Sequence, residues 1–437
     1  MKKFSFVGYT LAIVLFLTVA APLSQSQDQN QNDKQPPVPG WFFEMTAHWY
    51  NPWPAVPLYG VRLWNTGTAW SDINTADGVY DWQALDGWLA AAQKNHADEL
   101  LYTLALTPSW ASSNPNDASC KHNSGACDPP NDLNPDGSGT DQHWKDFVTA
   151  IATHAAGRIR FWEVWNEPVM PFFWNGTQAQ MVRMAKDARA IILSIDPNAK
   201  MMNAGGQAHD NYMIDWWKNY AAAGGFEYAD IIAFHGYVNN YPFVCGDYPK
   251  AADLVGVVNT VKSIVPDSAS KPIWDTEASW GDVKWGDCFT DPDLRAAFLA
   301  QFYMMHRSLR VRRFYWFAYD DDETGGLIDP STGKLNVDGI AYKQVDNWML
   351  GNTLTQDCSA TGTTWTCGFQ GPNGYKAEVI WDTGESCGNG ACQTTQYAVN
   401  SSFTQYRTLG GDTVAIQNSE VPIGAKPIIV ENKTRKQ

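Results

Sequence analysis

The sequence predicts an α/β chain built as a (β/α)8 TIM barrel followed by a small C-terminal β-sandwich. From Trp41 to Gly351, eight strand-like apolar runs alternate with segments of helical period. That alternation, over about 310 residues, is what an eightfold βα barrel requires. After Gly351 the composition turns to Thr, Gly and Asn with short alternating runs, the pattern of a small antiparallel domain. A doubly wound open sheet is the runner-up, but no Gly-rich phosphate loop follows any strand.

In order, the strand candidates are WFFEMTAH, GVRLWN, LLYTLALTPSW, RIRFWEVWNEP, KMMNAGG, ADIIAFHGYV, KPIWDTEASW and RRFYWFAYDD. Helices are expected between them, such as residues 81–97, where Leu85, Leu89 and Ala92 share a face. Another is 178–195, where Met181, Met184, Ala188 and Ile191 do. A last helix in AYKQVDNWMLG closes the barrel at Gly351, giving a barrel of residues 41–351 and an accessory domain of 352–437. In the latter, YKAEVIWDT, TQYRTL and KPIIVEN read as strands. It carries no obvious charged cluster and reads as a supporting module, with sugar binding through Trp365 or Trp381 as the alternative.

Residues 1–26 read as a secretory signal peptide: two lysines, an apolar run, then small and polar residues. An uncleaved anchor is the alternative, because residues 4–23 nearly suffice to span a bilayer. Residues 27–40 are polar and proline-bearing, a linker without a core of its own. A secreted or periplasmic location follows, and it accounts for eight cysteines in four sequence-local couples: Cys120/Cys127, Cys245/Cys288, Cys358/Cys367 and Cys387/Cys392. Their spacings lack the repeated C-x2-C form of a zinc site, so loop staples are expected and no metal. The formal charge of -15 would repel phosphate backbones and anionic lipid, which argues against nucleic acid and a stable membrane partner. With 21 Trp, 18 Tyr and 19 Phe, aromatic faces are available for neutral ligands such as sugars, though most belong to the core.

The chemistry is in the strand ends. Glu167 closes the fourth strand in WNEP and Glu277 the seventh in WDTEASW. In a barrel both then reach the C-terminal face, where side chains from different strands converge. Two carboxylates flanking one cleft are the minimum apparatus for cleaving a glycosidic bond, one giving a proton to the leaving oxygen and one meeting the developing cationic carbon. An aromatic wall around Glu167 is expected to raise its pKa. Glu163, four residues earlier, lies deeper by about 13 Å of extended strand. A buried charge there calls for a cation, with Arg62 and Arg160 as candidates. His48 and Trp110 are weaker site candidates and read as structural, and the aspartates of YDDDETGG read as a solvated loop.

WNEP after strand four with a Glu after strand seven resembles clan A of the retaining glycoside hydrolases. The text PWPAVPLYGVRLWNTGTAW, GVYDWQALDGWL, TPSWAS and FWEVWNEP is similar to family 39-like bacterial enzymes, among which the Psl-type exopolysaccharide endoglycosidases match best. The resemblance implies that Glu167 is the acid/base, Glu277 the nucleophile, and Asn166 a partner of the sugar 2-hydroxyl. It gives His235 a sugar hydroxyl, Tyr237 an oxygen of the nucleophile, and Trp316 the platform under the sugar. His235 and Tyr237 share a strand face. Arg62 is left with two partners, Glu277 and Glu163. The couples Cys120/Cys127 and Cys245/Cys288 depart from the family pattern and are expected to rim the cleft. The whole implies a secreted retaining glycosidase, monomeric, acting on a polysaccharide or oligosaccharide without a cofactor. A non-catalytic polysaccharide-binding protein on a barrel scaffold is the alternative.

Overall fold

Eight short strands are buried on both faces, so they read as continuous apolar runs rather than alternating ones. They are β1 (Phe43–Met45), β2 (Arg62–Leu63), β3 (Leu101–Leu104), β4 (Phe161–Val164), β5 (Lys200–Met202), β6 (Ile232–His235), β7 (Ile273–Ala278) and β8 (Phe314–Trp316). The structure, a computed structural model, describes residues 35–238, 249–281, 289–321, 323–388 and 391–434. All eight strands pair in parallel, as β2-β3-β4-β5 and as β1-β8-β7-β6. Isolated parallel bridges, Met45 with Val61 and Met202 with Ile231, link the sheet edges.

The helices are α1 (Trp70–Ile73), α2 (Gln83–Lys94), α3 (Gln142–Ala155), α4 (Gln178–Ile195), α5 (Asn211–Ala222), α6 (Leu254–Ile264), α7 (Pro292–Ser308) and α8 (Val337–Met349). Capping explains several starts. At α4, Thr177 Oγ1 accepts from Gln180 N at 3.1 Å while Gln180 Oε1 accepts from Thr177 N at 2.9 Å, a reciprocal capping box. Asp291 caps α7 with Pro292 at its first position. On α2 the expected Leu85, Leu89 and Ala92 are buried, with Trp88 beside them. On α4 the fully buried residue of the last turn is Ile192, where Ile191 was expected. The strand–helix alternation fails once: residues 46–61, between β1 and β2, form no helix. Residues 27–34 of the expected linker lie outside the described residues, and its last residues pack on the folded chain. Gln35 and Val38 are buried; Val38 N donates to Asn352 O at 2.8 Å, and Gly351 N donates to Val38 O at 2.7 Å.

Beyond the parallel strands, β9 (Thr353–Thr361), β10 (Thr364–Gly371), β11 (Tyr375–Asp382), β12 (Cys387–Gly388), β13 (Ala391–Cys392), β14 (Thr395–Ala398), β15 (Gln405–Arg407), β16 (Thr413–Ala415), β17 (Glu420–Ile423) and β18 (Ile428–Glu431) are antiparallel. Six form one sheet, and β12-β13 and β14-β17 form two ribbons. Strand period two divides the interior. Val379 and Trp381 join the main core, whereas Ile380 between them joins a separate cluster with Val421, Ile428 and Val430. The first face rests on α7, which is accordingly buried nearly all round. Cys358 N donates to Ser308 Oγ at 3.0 Å, and Gln301 Nε2 to Ala425 O at 2.8 Å. Trp365 and Trp381 stack at 5.7 Å, but Trp381 is buried. Cys120–Cys127, Cys358–Cys367 and Cys387–Cys392 are disulfides. Cys245 and Cys288 lie outside the described residues, as does the signal-like segment. No described helix is long and apolar enough to cross a membrane.

Asp141, before α3, is fully buried with both carboxyl oxygens lacking a donor. Burial, Asp187 and Asp132 together push it up to about 8. The group therefore favours the folded state fully below its unfolded value of about 4, and that contribution is lost as pH rises through about 8. Asp141→Asn should raise thermal stability, with a larger gain at pH 8 than at pH 5, as read by melting at the two pH values.

Candidate active site

The centre of the site is one buried guanidinium. Arg62, at the start of β2, is fully buried. Its Nε donates to Glu163 Oε2 at 2.9 Å, one terminal nitrogen to Glu277 Oε2 at 2.6 Å, and the other to Asn166 Oδ1 at 2.7 Å. The two partners open to Arg62 in the sequence are thus both taken, because a planar fork presents donors to several acceptors at once. Arg160, the other candidate for Glu163, is more than half exposed beside Glu99. Glu163 is completed by Thr103 Oγ1 at 3.0 Å and Thr276 Oγ1 at 2.7 Å. A buried carboxylate so enclosed has its charge and lone pairs answered. Gly205 makes room: a Cβ there would overlap Glu163 Oε1 and crowd His235 Nε2.

Past β4 the backbone turns twice through left-handed geometry, at Trp165 (φ 70°) and Glu167 (φ 43°). Such conformations cost non-glycine residues of order 1–3 kcal/mol and persist where surroundings fix them. Here Glu167 N donates to Gly205 O at 2.8 Å and Met170 N to Glu167 O at 2.9 Å. The turn brings Glu167 up to His235, whose Nδ1 lies 2.9 Å from Glu167 Oε1; Gln207 Nε2 donates to the same oxygen at 3.1 Å. On the opposite side, pairing of β6 with β7 slips between Phe234 and His235, so that His235 sits against Glu277. Asp275 holds this slip in place. Its Oδ1 accepts from Gly236 N at 3.0 Å and Glu277 N at 3.3 Å, and His306 Nε2 lies 2.7 Å from its Oδ2. A Cβ on residue 236 would collide with that carboxylate. Tyr237 Oη donates to Glu277 Oε1 at 3.1 Å.

Six expected residues therefore meet: Arg62, Asn166, Glu167, His235, Tyr237 and Glu277. His235 differs from its expected role, since it is fully buried and its ring faces Glu167 rather than an open sugar site. Trp316 differs more. It is fully buried, donates Nε1–H to Gly325 O at 2.7 Å and packs on Trp280 and Tyr303. The next residue, Phe317, lines the cleft instead, because successive side chains leaving a strand point to opposite sides. Trp110 is tied to Asn74 O through Nε1 at 2.8 Å. His48 sits on Asp320, its N 2.8 Å from Oδ1. Asp321 lines the cleft, and Asp322 lies outside the described residues.

The cleft is a cavity of about 520 Å³, walled by Trp64, Phe173, Gln207, His209 and Phe317 around Asn166, Glu167, Tyr237 and Glu277. Sequence reading missed Gln207, His209 and Phe317. The signal for the first two was present, a run of polar residues directly after strand five in NAGGQAHD. Burial by itself raises the Glu167 carboxyl, but donation by His235 and Gln207 outweighs it and leaves it below the usual range. This reverses the expected direction. Glu277 is raised by burial, with His235 and Arg62 opposing. For His235, burial works downward, and the two glutamates pull it up. Single donor atoms of Glu167, His235 and Glu277 lie within 4.8 Å of one another, a spacing open to a cation, but Arg62 already supplies positive charge to Glu277. In a second such group, Asp117, Cys120, Cys127 and Asp128, the sulfurs are spent in the disulfide.

Solved structures share this architecture. The chain superposes on a family 39 glycoside hydrolase from Bacteroides cellulosilyticus with TM-score 0.62 at 16% identity, covering 86% of this chain and 75% of that one. It superposes on a monomeric β-xylosidase from Caulobacter crescentus with TM-score 0.62 at 15% identity, covering 91% and 97%. A glucosidase from Croceicoccus marinus gives 0.59 at 14%, covering 92% and 97%. The chain has the fold of these glycosidases. No family model and no curated protein matches the sequence.

Removing the shared cation should be costly. Arg62→Met leaves Glu163 and Glu277 buried without it, so stability should fall by about 3–5 kcal/mol, measured by urea unfolding.

Proposed function

We propose that the protein is a secreted glycoside hydrolase that cleaves a polysaccharide with retention of configuration, on a closed (β/α)8 barrel carrying a β-sandwich accessory domain. The observation that carries this reading is the approach of Glu167 and Glu277, from opposite sides of one cleft, to within 4.8 Å between nearest oxygens. Retaining enzymes hold their carboxyl groups about 5–5.5 Å apart, whereas inverting ones leave about 6.5–9.5 Å for a water. The bridges linking the two parallel sheets support closure, and the signal-like N-terminus supports export.

Glu277 is the nucleophile. Arg62 and Tyr237 fix its two oxygens, so its attack on the anomeric carbon needs no rotamer search. Glu167 is the acid/base. In the free protein its proton rests in the hydrogen bond with His235, which favours His235 protonated and Glu167 ionised. As the glycosidic oxygen gains charge, the proton passes through Glu167 to it. The glycosyl ester then removes the charge of Glu277, and Glu167 takes a proton from the incoming water. Asn166 has its Oδ1 committed to Arg62, which orients its Nδ2 without a protein partner among the described residues. Asn166 lines the cleft, and that spare donor suits the sugar 2-hydroxyl.

The glycosidases of similar fold make xylosides and glucosides the first substrates to try, with xylan, β-glucans and a Psl-type exopolysaccharide beside them. Release of reducing ends from that panel tests the reading, and a pure binding protein releases none at any protein concentration. Roles follow from rescue. With an aryl glycoside whose leaving group needs no proton, Glu167→Ala should form the glycosyl enzyme and stall, and azide should restore turnover with a retained product. Glu277→Ala with azide should give the inverted product, each read by NMR of the glycosyl azide. The reverse pattern would exchange the two assignments.

A further inference from the structure

The loop closed by Cys120–Cys127 belongs to no step above, yet it is fastened to the cleft wall beside Glu167. Lys121 N donates to Phe172 O at 3.0 Å, and Asn175 N to Cys127 O at 2.7 Å. Asn175 Nδ2 also donates to Asp128 Oδ1 at 3.2 Å. A disulfide-closed turn after β3 thus holds residues 172–175, which follow β4, at both ends. From inside, Trp165 Nε1 donates to Phe173 O at 2.8 Å.

What this framework presents is an exposed ring. Phe172 is 37% exposed where it lines the cleft. It packs against Phe173 with centroids 4.9 Å apart, and the Lys121 ammonium lies 5.8 Å from both ring centres. Tyr212, at the start of α5, is half exposed and reaches Met170 Sδ through its hydroxyl at 3.5 Å. Lys121, Met170, Phe172 and Tyr212 all line the cavity that contains Glu167.

The position decides the occupant. A general acid must reach the oxygen of the departing group, so the departing group lies on the Glu167 side of the scissile bond. We propose that Phe172, with Tyr212 and Lys121, forms a binding site for a sugar residue of the leaving group, braced by the Cys120–Cys127 disulfide. The C–H face of a pyranose stacks on the Phe172 ring, while Lys121 and Tyr212 meet its hydroxyls. The protein therefore selects bonds between two sugars over bonds to a small aglycone. This rests on the glycosidase reading and assigns what lies beyond the scissile oxygen.

The test compares xylotriose with β-xylosyl fluoride, and cellotriose with β-glucosyl fluoride. The fluorides have the same glycosyl unit but no ring on the leaving side. In Phe172→Ala, kcat/KM for the trisaccharide should fall about tenfold relative to that for the fluoride, mainly through KM. Phe172→Tyr, which keeps the ring, should restore the ratio, and Cys120→Ser with Cys127→Ser should shift it in the same direction as the alanine variant. An unchanged ratio in Phe172→Ala, or no restoration by the tyrosine variant, overturns the subsite and leaves the glycosidase reading standing. A wild-type protein inert toward all four substrates overturns the subsite for these sugars, and one that also releases no reducing ends from the polysaccharide panel overturns both.

Discussion

Everything in the cleft depends on the sharing of one guanidinium. Arg62 is inaccessible to water and serves two carboxylates and an amide on three other residues from two further segments of chain. Its attraction to Glu163 and Glu277 outweighs the burial that disfavours its charge. Placing such a cation in the interior is costly unless every donor is answered. Each of the three contacts therefore constrains the others. Glu163 fixes the guanidinium plane from below, and that plane sets where Glu277 and Asn166 must stand at the cleft floor.

The second constraint is the imidazole of His235, which lies between the carboxyl groups of Glu167 and Glu277, 2.9 Å from one and 4.0 Å from the other. Two glutamates this close titrate as a unit rather than as two independent acids. His235 enlarges that unit to three groups. Burial alone would have raised the Glu167 carboxyl; donation by the imidazole and by Gln207 lowers it instead. Burial and hydrogen bonding thus act in opposite senses on the same carboxyl, and geometry decides between them.

The supports run outward from there. Gly205 and Gly236 leave room for the carboxylates of Glu163 and Asp275. Asp275 and His306 hold the slip in β7 that points Glu277 into the cleft. His306 lies on α7, and the antiparallel sheet packs on the outer side of that same helix. The antiparallel strands are thus joined to the parallel ones through a helix that also backs Asp275 and, through it, Glu277.

The sequence by itself determined the strand order, the two glutamates at the ends of strands four and seven, and the change of architecture after Gly351. These are local patterns: apolar runs of strand length, helical spacing on α2 and α4, and polar residues where an apolar run ends. It also showed that Glu163 needed a cation. It did not choose between Arg62 and Arg160, because that choice depends on which strands become neighbours. Only the tertiary structure decided that Arg62 serves both carboxylates, that His235 faces Glu167, and that Phe317 rather than Trp316 lines the cleft. The second follows from a slipped register between β6 and β7, which breaks the alternation that sequence reasoning relies on, and the third from the exact residue at which β8 ends. The direction of Glu167's pKa was beyond the sequence for the same reason: it depends on a ring nitrogen and an amide from strands distant in the chain.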